Sequence, residues 1–262
     1  MNTKVNHIAF PTSILLPALA IVLSHPNSLV AKDTRPIVII HGAWGGAHHW
    51  KAVDDALTHK HGRTVRRASL TGLGERSHLA TPKVNLDTHI RDVVNLIEFD
   101  DLNSVILIAH SYGGAVGQGV VEAIPKRIAT VIYIDSSLLE DGECCVEDDP
   151  KDRELYTRRA KEDGDGWLVP VDWPNPMRDT PHPLATFLQP IKLTSDIHKQ
   201  VPATYWLLAD GKPPEQDKRY RFYQRAVERK LNVKVFSWGH NPQRERPDDL
   251  TKELVASISK SN

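Results

Sequence analysis

The chain has 262 residues, 40% hydrophobic and 25% charged, an ordinary globular composition with enough material for one core and a small accessory segment. Lys plus Arg and Asp plus Glu balance at 33 each, which argues against a nucleic-acid binder, since such proteins usually show a basic excess. There are no repeats or low-complexity tracts, and the two cysteines, Cys144 and Cys145, are adjacent and cannot form a disulfide framework.

Residues 1–31 read as a secretory signal peptide: Lys4, an uncharged run from Ile8 to Leu23, a polar stretch, and a cleavage point after Ala31. The alternative is a membrane anchor at residues 8–23. That run falls short of the roughly 20 residues needed to span a bilayer, and Pro11 and Pro17 interrupt it. Export to the periplasm or medium is the expectation, with no stable membrane span in the mature chain. The remainder, 32–262, reads as one domain.

From Arg35 onward strands and helices alternate. PIVII (36–40) is a short apolar run, read as a buried strand. Residues 47–60 suit a helix, and RTVRRASL (63–70) sits where the next strand belongs. After the glycine-rich TGLGERSH, residues Leu86, Ile90, Val93, Val94 and Ile97 recur at helical spacing. SVILIAH (104–110) is the clearest buried strand, GGAVGQGVVEAI a small-residue helix stopped by Pro125, and ATVIYID (129–135) another strand. Residues 136–202 break the rhythm and are too long for a plain loop, so a small cap with short helices is expected there. ATYWLLAD (203–210), a helix over 215–230, NVKVFSW (232–238) and a helix over 246–259 complete the pattern. Such alternation predicts a mostly parallel sheet of about six strands, covered by helices on both faces. Ligands bind such folds at the carboxyl ends of the strands.

One strand end carries AHSYGG (109–114). It departs from G-x-S-x-G by one methyl, at Ala109. A nucleophile elbow needs small residues on either side of its serine because the strand-to-helix turn is tight. Ser111 is therefore the expected nucleophile; the competing reading is a helix-capping serine. A serine hydroxyl needs a base. His240, in SWGHN past the last strand, has the right chain order. His41 follows the first strand and could line the site or pack beside it. His48, His49, His59 and His61 read as surface histidines. No carboxylate–histidine spacing supports a metal site at His59 and His61. The oxyanion hole needs two backbone N–H donors, expected from Tyr112 and Ala43.

HGAWGGAHHW, LTGLGERSHL, AHSYGGAVG, the VIYID strand end and HPLATFLQP together resemble the α/β-hydrolase superfamily. The closer likeness is to its small-esterase branch, with EstC-like bacterial esterases, plant methyl-salicylate esterases and hydroxynitrile lyases. The resemblance covers nearly all of residues 35–260. It implies an α/β-hydrolase fold with a cap inserted after the strand ending at Asp135, Ser111 as nucleophile, His240 as base, and Ala43 and Tyr112 as oxyanion donors. It leaves two candidates for the acid. Asp210 ends the strand that usually supplies it, but the usual acid lies further into the loop, where Gly211 and Lys212 stand here. Asp135 ends the preceding strand, as in some lipases, and is favoured.

Ester hydrolysis is the leading expectation, acting on small, hydrophobic carboxylic esters without a metal or organic cofactor. Lactone hydrolysis would use the same machinery. The hydroxynitrile lyases of this branch carry a threonine in the first loop and a lysine after the histidine, where Gly42 and Asn241 stand here. A ligand-binding protein on this scaffold is the reading from a different class. Trp167, Trp173, Leu184 and Phe187 could line an apolar pocket, or form the cap's own core. His41 and Trp44 are further pocket candidates, although Trp44, Trp50 and Trp206 read primarily as packing residues.

Overall fold

Strand β1 (Ile37–Ile40) and strand β3 (Val105–His110) lie side by side within a six-stranded sheet. The computed structural model describes residues 1–2, 33–146, 150–174 and 178–259. The signal-peptide reading and its anchor alternative rest on residues 3–31, which lie outside the described residues.

The remaining elements, in chain order, begin with helix α1 (Lys51–Asp55), flanked by a tighter turn at Ala47–Trp50 and a wider one at Ala56–Lys60. Strand β2 (Val65–Ala68) and helix α2 (Leu86–Phe99) precede β3. Helix α3 (Gly113–Ala123) and strand β4 (Ile128–Ile134) follow it. The insertion at 136–202 contains α4 (Pro150–Asp163), the two-residue strands β5 (Leu168–Val169) and β6 (His182–Pro183), α5 (Leu184–Leu188) and α6 (Ile197–Gln200). Strand β7 (Ala203–Leu208), α7 (Tyr220–Glu228), β8 (Asn232–Phe236), α8 (Pro242–Glu245) and α9 (Pro247–Ser259) finish the chain.

The sheet order is β2-β1-β3-β4-β7-β8, with every neighbouring pair parallel. β3 shows why it is central. VILIAH is buried at every position, and its β-branched residues suit a strand covered on both faces. Alternate residues feed two cores. Val38, Ile40, Leu107 and Ala109 pack on the face of α2 and α3, while Ile37, Ile39, Ile106 and Ile108 pack with Trp50, Leu250 and Leu254 on the other. Trp50 and Trp206 are fully buried packing residues, as their sequence context suggested.

Two local features fix the elements that frame the site. Asn85 caps α2: its Oδ1 accepts from Thr88 N at 3.0 Å, and Thr88 Oγ1 accepts from Asn85 N at 3.4 Å, a reciprocal capping box. α3 lies close to the sheet because it is built from small residues. A Cβ on Gly113 would stand 2.8 Å from the carbonyl oxygens of both Ile40 and His41. One on Gly114 would collide with Ser137 O.

Candidate active site

The sheet order reverses direction around β1 and β3, so the loops that follow these strands open side by side. Register pairs Ile40 with Ala109, and so the loop from His41 meets the turn at Ser111. Ser111 itself has φ +54°, in the left-handed region. That strained geometry lifts the side chain off the strand end, as an elbow requires. Ser111 N donates to Ile134 O at 3.1 Å, which ties the turn to the end of β4. Ala109 is accommodated because Gly117 lies across from it: a Cβ there would be 3.1 Å from Ala109 Cβ.

Ser111, His240 and Asp135 form one continuous hydrogen-bonded line. Ser111 Oγ lies 3.0 Å from His240 Nε2, and His240 Nδ1 lies 2.6 Å from Asp135 Oδ2. With Nδ1–H donating to the carboxylate, Nε2 keeps its lone pair for the serine proton. The Asp135 side chain is fully buried, and its Oδ1 accepts from Leu208 N at 3.2 Å. Asp210, the other candidate acid, stands exposed at the end of β7, where its N–H donates to Trp238 O. It is Asp135 that the structure brings to the histidine, because β4 lies directly beside β3 and ends beside the Ser111 turn.

Arg219 is a group that sequence reasoning missed. Its Nη1 lies 3.2 Å from Asp135 Oδ2 and its Nη2 lies 3.3 Å from His240 Nε2. It comes from the turn before α7, and nothing in the local sequence KRYRF separates it from the neighbouring surface cations. Burial, reinforced by the positive charges of Arg219 and Lys218, holds the His240 imidazole well below its ordinary value. Burial pushes the Asp135 carboxyl up, and Arg219 and the Leu208 N–H oppose that push. His110 has a different task from its neighbour. Its Nε2–H donates to His240 O at 2.8 Å, propping the loop that carries the base.

Ala43 and Tyr112 border the same cavity as Ser111. The cavity measures about 520 Å³. One wall is aromatic: Trp44 stands edge-on to Tyr156 and Trp173 at centroid distances of 5.6 and 5.3 Å, and Phe187 completes the group. The lining also carries Lys218, Arg219 and Arg244. Tyr156 and Cys145 were missed as lining residues because each comes from the insertion, which carries no periodic signal.

Three expectations about the neighbourhood need correction, and one open alternative is resolved. His41 does not line the cavity; it is buried behind it, donating from Nδ1 to Gly42 O at 2.8 Å and accepting at Nε2 from Leu70 N at 3.4 Å. Trp167 also lies away from the cavity, since its carbonyl accepts from Leu184 N in the β5–β6 pairing that turns it aside. Leu184, for which pocket and core were both open, belongs to the buried core. His49 is not a surface residue: it is buried, and its Nε2 lies 3.1 Å from Asp179 Oδ1. Trp44, Trp173 and Phe187 do border the cavity. Cys144 and Cys145 are not joined in a disulfide; Cys144 is buried and Cys145 borders the cavity. Among the described residues no cluster of His, Cys, Asp or Glu is arranged to hold a metal ion.

A parallel β-sheet with a serine on a left-handed turn and a histidine–carboxylate pair at its carboxyl edge defines a hydrolase class. The family model described as "Alpha/beta hydrolase family" matches residues 37–253, and the chain belongs to that family. It is an esterase-type member. It is 32% identical over 242 residues to the carbendazim hydrolyzing esterase of Nocardioides sp. (strain SG-4G), covering 84% of this chain and 98% of that one. Among solved structures it superposes on an extracellular α/β-hydrolase from a Paenibacillus species with TM-score 0.71 and 21% identity, covering 85% and 98% of the two chains. It also superposes on a pyrethroid hydrolase from Sphingobium faniae JZ-2 with TM-score 0.63 and 20% identity, covering 87% and 98%.

Proposed function

We propose that the chain hydrolyses small, hydrophobic carboxylic esters through an acyl-enzyme on Ser111. The observation that carries this is the unbroken line Ser111 Oγ–His240 Nε2 and His240 Nδ1–Asp135 Oδ2, opening on a cavity with an aromatic wall. Ser111 Oγ attacks the ester carbonyl carbon while His240 Nε2 takes the hydroxyl proton. Asp135 holds the imidazole in the Nδ1–H tautomer and offsets the charge of the imidazolium. The N–H groups of Ala43 and Tyr112 receive the tetrahedral oxyanion, helped by the positive end of α3. Collapse of the intermediate expels the alkoxide, which takes its proton from His240. Water then repeats the sequence on the acyl carbon and frees the carboxylic acid and Ser111. In this reading the insertion at 136–202 acts as the cap over the site, and Trp44, Trp173 and Phe187 meet the apolar part of the substrate.

The names of the relatives support an ester as the substrate class. Lactones present the same carbonyl to the same groups and remain the second reading. The absence of a threonine at Gly42 and of a lysine at Asn241 disfavours the lyase chemistry of this branch. Residues 1–31 are proposed to direct export, a reading in keeping with the extracellular Paenibacillus neighbour. Among the described residues no helix is long and apolar enough to cross a membrane.

The test is a panel of p-nitrophenyl esters of graded acyl length, with a lactone series beside it. The wild type is expected to turn over short to medium esters, and Ser111→Ala to lose about 10⁶-fold in kcat. Labelling of Ser111 by a fluorophosphonate checks the nucleophile directly. Full activity in Ser111→Ala, or an unlabelled wild type, overturns the mechanism. N-terminal sequencing of the mature protein tests export.

A further inference from the structure

The Ala43 N–H belongs to a loop held from two sides. Its own peptide has the Gly42 carbonyl at the other end, and that carbonyl accepts from His41 Nδ1 at 2.8 Å. The peptide is trans, so the Ala43 N–H points away from His41. The next peptide is held by the insertion. Trp44 N–H donates to His182 Nδ1 at 3.1 Å, and Trp44 O accepts from Thr180 N at 2.7 Å. The Trp44 indole N–H donates to Val169 O at 3.1 Å. All the polar groups of Trp44 are thereby bonded to the stretch 169–182, which lies between α4 and α5. Trp44 also has φ +58°, a left-handed conformation that a side-chain-bearing residue keeps only when its surroundings hold it there.

His182 is built to serve as the acceptor. Its side chain is fully buried and stacks on Phe187 at 4.2 Å between ring centroids. Its Nε2–H donates to Thr186 Oγ1 at 2.7 Å, and the Thr186 hydroxyl donates onward to Pro183 O at 2.8 Å. The proton is therefore on Nε2, and Nδ1 keeps the lone pair that Trp44 N–H uses. Burial, with His89 and His41 nearby, holds the imidazole well below its ordinary value, in keeping with a neutral ring.

We propose that His182 is a positioning residue of the oxyanion hole: from the insertion, it fixes the Ala43–Trp44 peptide so that the Ala43 N–H faces the tetrahedral oxygen. This rests on the esterase reading above. It makes catalytic competence depend on a side chain that touches neither the triad nor the substrate. The predicted signature is a loss in kcat with little change in KM, because a displaced donor is missed in the transition state and not in the ground state.

Two substitutions separate this role from packing. His182→Asn keeps an acceptor oxygen on Cγ, where Nδ1 sits; His182→Gln moves its acceptor outward, to the place of Nε2. Kinetics on a p-nitrophenyl ester are measured for both, together with inhibition by an alkyl boronic acid, whose tetrahedral adduct uses the same donors. His182→Gln is expected to lose about 10–100-fold in kcat, with KM within about threefold of wild type and boronate affinity falling in parallel. His182→Asn should keep most of the wild-type kcat. The proposal is overturned if His182→Gln retains wild-type kcat, if the two variants fall equally, or if the loss lies in KM alone. A wild type that neither turns over esters nor labels at Ser111 overturns the esterase reading and this one with it. An active wild type with an indifferent His182→Gln overturns only this one.

Discussion

Arg219 sets the chemistry of the site at the scale of a single residue. A guanidinium within 3.3 Å of His240 Nε2 opposes the positive charge the base must acquire, and it also draws on the Asp135 carboxylate. Both effects have the same sign: they disfavour the imidazolium. Burial first, and Arg219 beside it, therefore let the neutral, active base persist to lower pH than an ordinary histidine would. The acid limb of kcat/KM is expected below the usual histidine range, with activity lost only as pH falls through the depressed His240 value. Arg219→Gln should move that limb to higher pH, and a limb unmoved or shifted to lower pH would refute the assignment. The same profile distinguishes the two acids. Asp135→Asn is expected to cost about 10³–10⁴-fold in kcat, as a triad carboxylate does. Asp210→Asn, at an exposed strand end, should stay within a few-fold of wild type, and the reverse order would show that Asp210 is the acid.

At the scale of elements, the turn from β3 into α3 is the critical joint. Gly114 in that turn and Gly142 in the insertion are not interchangeable. Gly114 faces backbone, where the Ser137 carbonyl cannot move without shifting the start of the insertion. Gly114→Ala is expected to lower stability by about 1–3 kcal/mol, an overpacking cost, and to depress activity by displacing Ser111. Gly142 has open space around the same position, although φ is +81°. Gly142→Ala should cost about 1 kcal/mol of backbone strain and leave kcat unchanged. Urea denaturation with parallel kinetics makes the comparison, and equal effects of the two changes would contradict it. The order of elements was legible from periodicity, since buried parallel strands read as apolar runs and α2 shows its stripe. The expected helix over 215–230 is shorter, at Tyr220–Glu228, because Pro213 and Pro214 open a separate turn before it.

Across the whole molecule, several histidines are buried in the neutral state. His41 and His89 are each held down to about 4 by burial, and His110 and His182 are also well below the ordinary value. The unfolded chain binds protons at these groups near pH 6.5, before the native state does. The contribution of these groups is therefore complete above that pH and falls as pH drops from about 6.5 toward 4, by about 1–3 kcal/mol each for His41 and His89. Asp135, pushed up by burial, acts with the opposite sign but is a single group. Unfolding free energy measured in urea between pH 7.5 and 4.5 should decline steadily, and His89→Gln should flatten the slope. A flat wild-type profile would count against neutral burial of these rings.

The sequence by itself determined the class. Apolar runs and the small residues around Ser111 are local properties that local sterics dictate, and the order serine, acid, histidine is read directly along the chain. The tertiary structure decided what depends on distant segments meeting. It brought Asp135, and not Asp210, to His240, because β4 is the neighbour of β3 and its end lies beside the serine turn. It turned His41 and Trp167 away from the cavity and brought Arg219 and Tyr156 to it. It also tied Trp44 to His182 across 138 positions of chain. No periodicity records such a contact, because it exists only once the insertion has folded against the loop after β1.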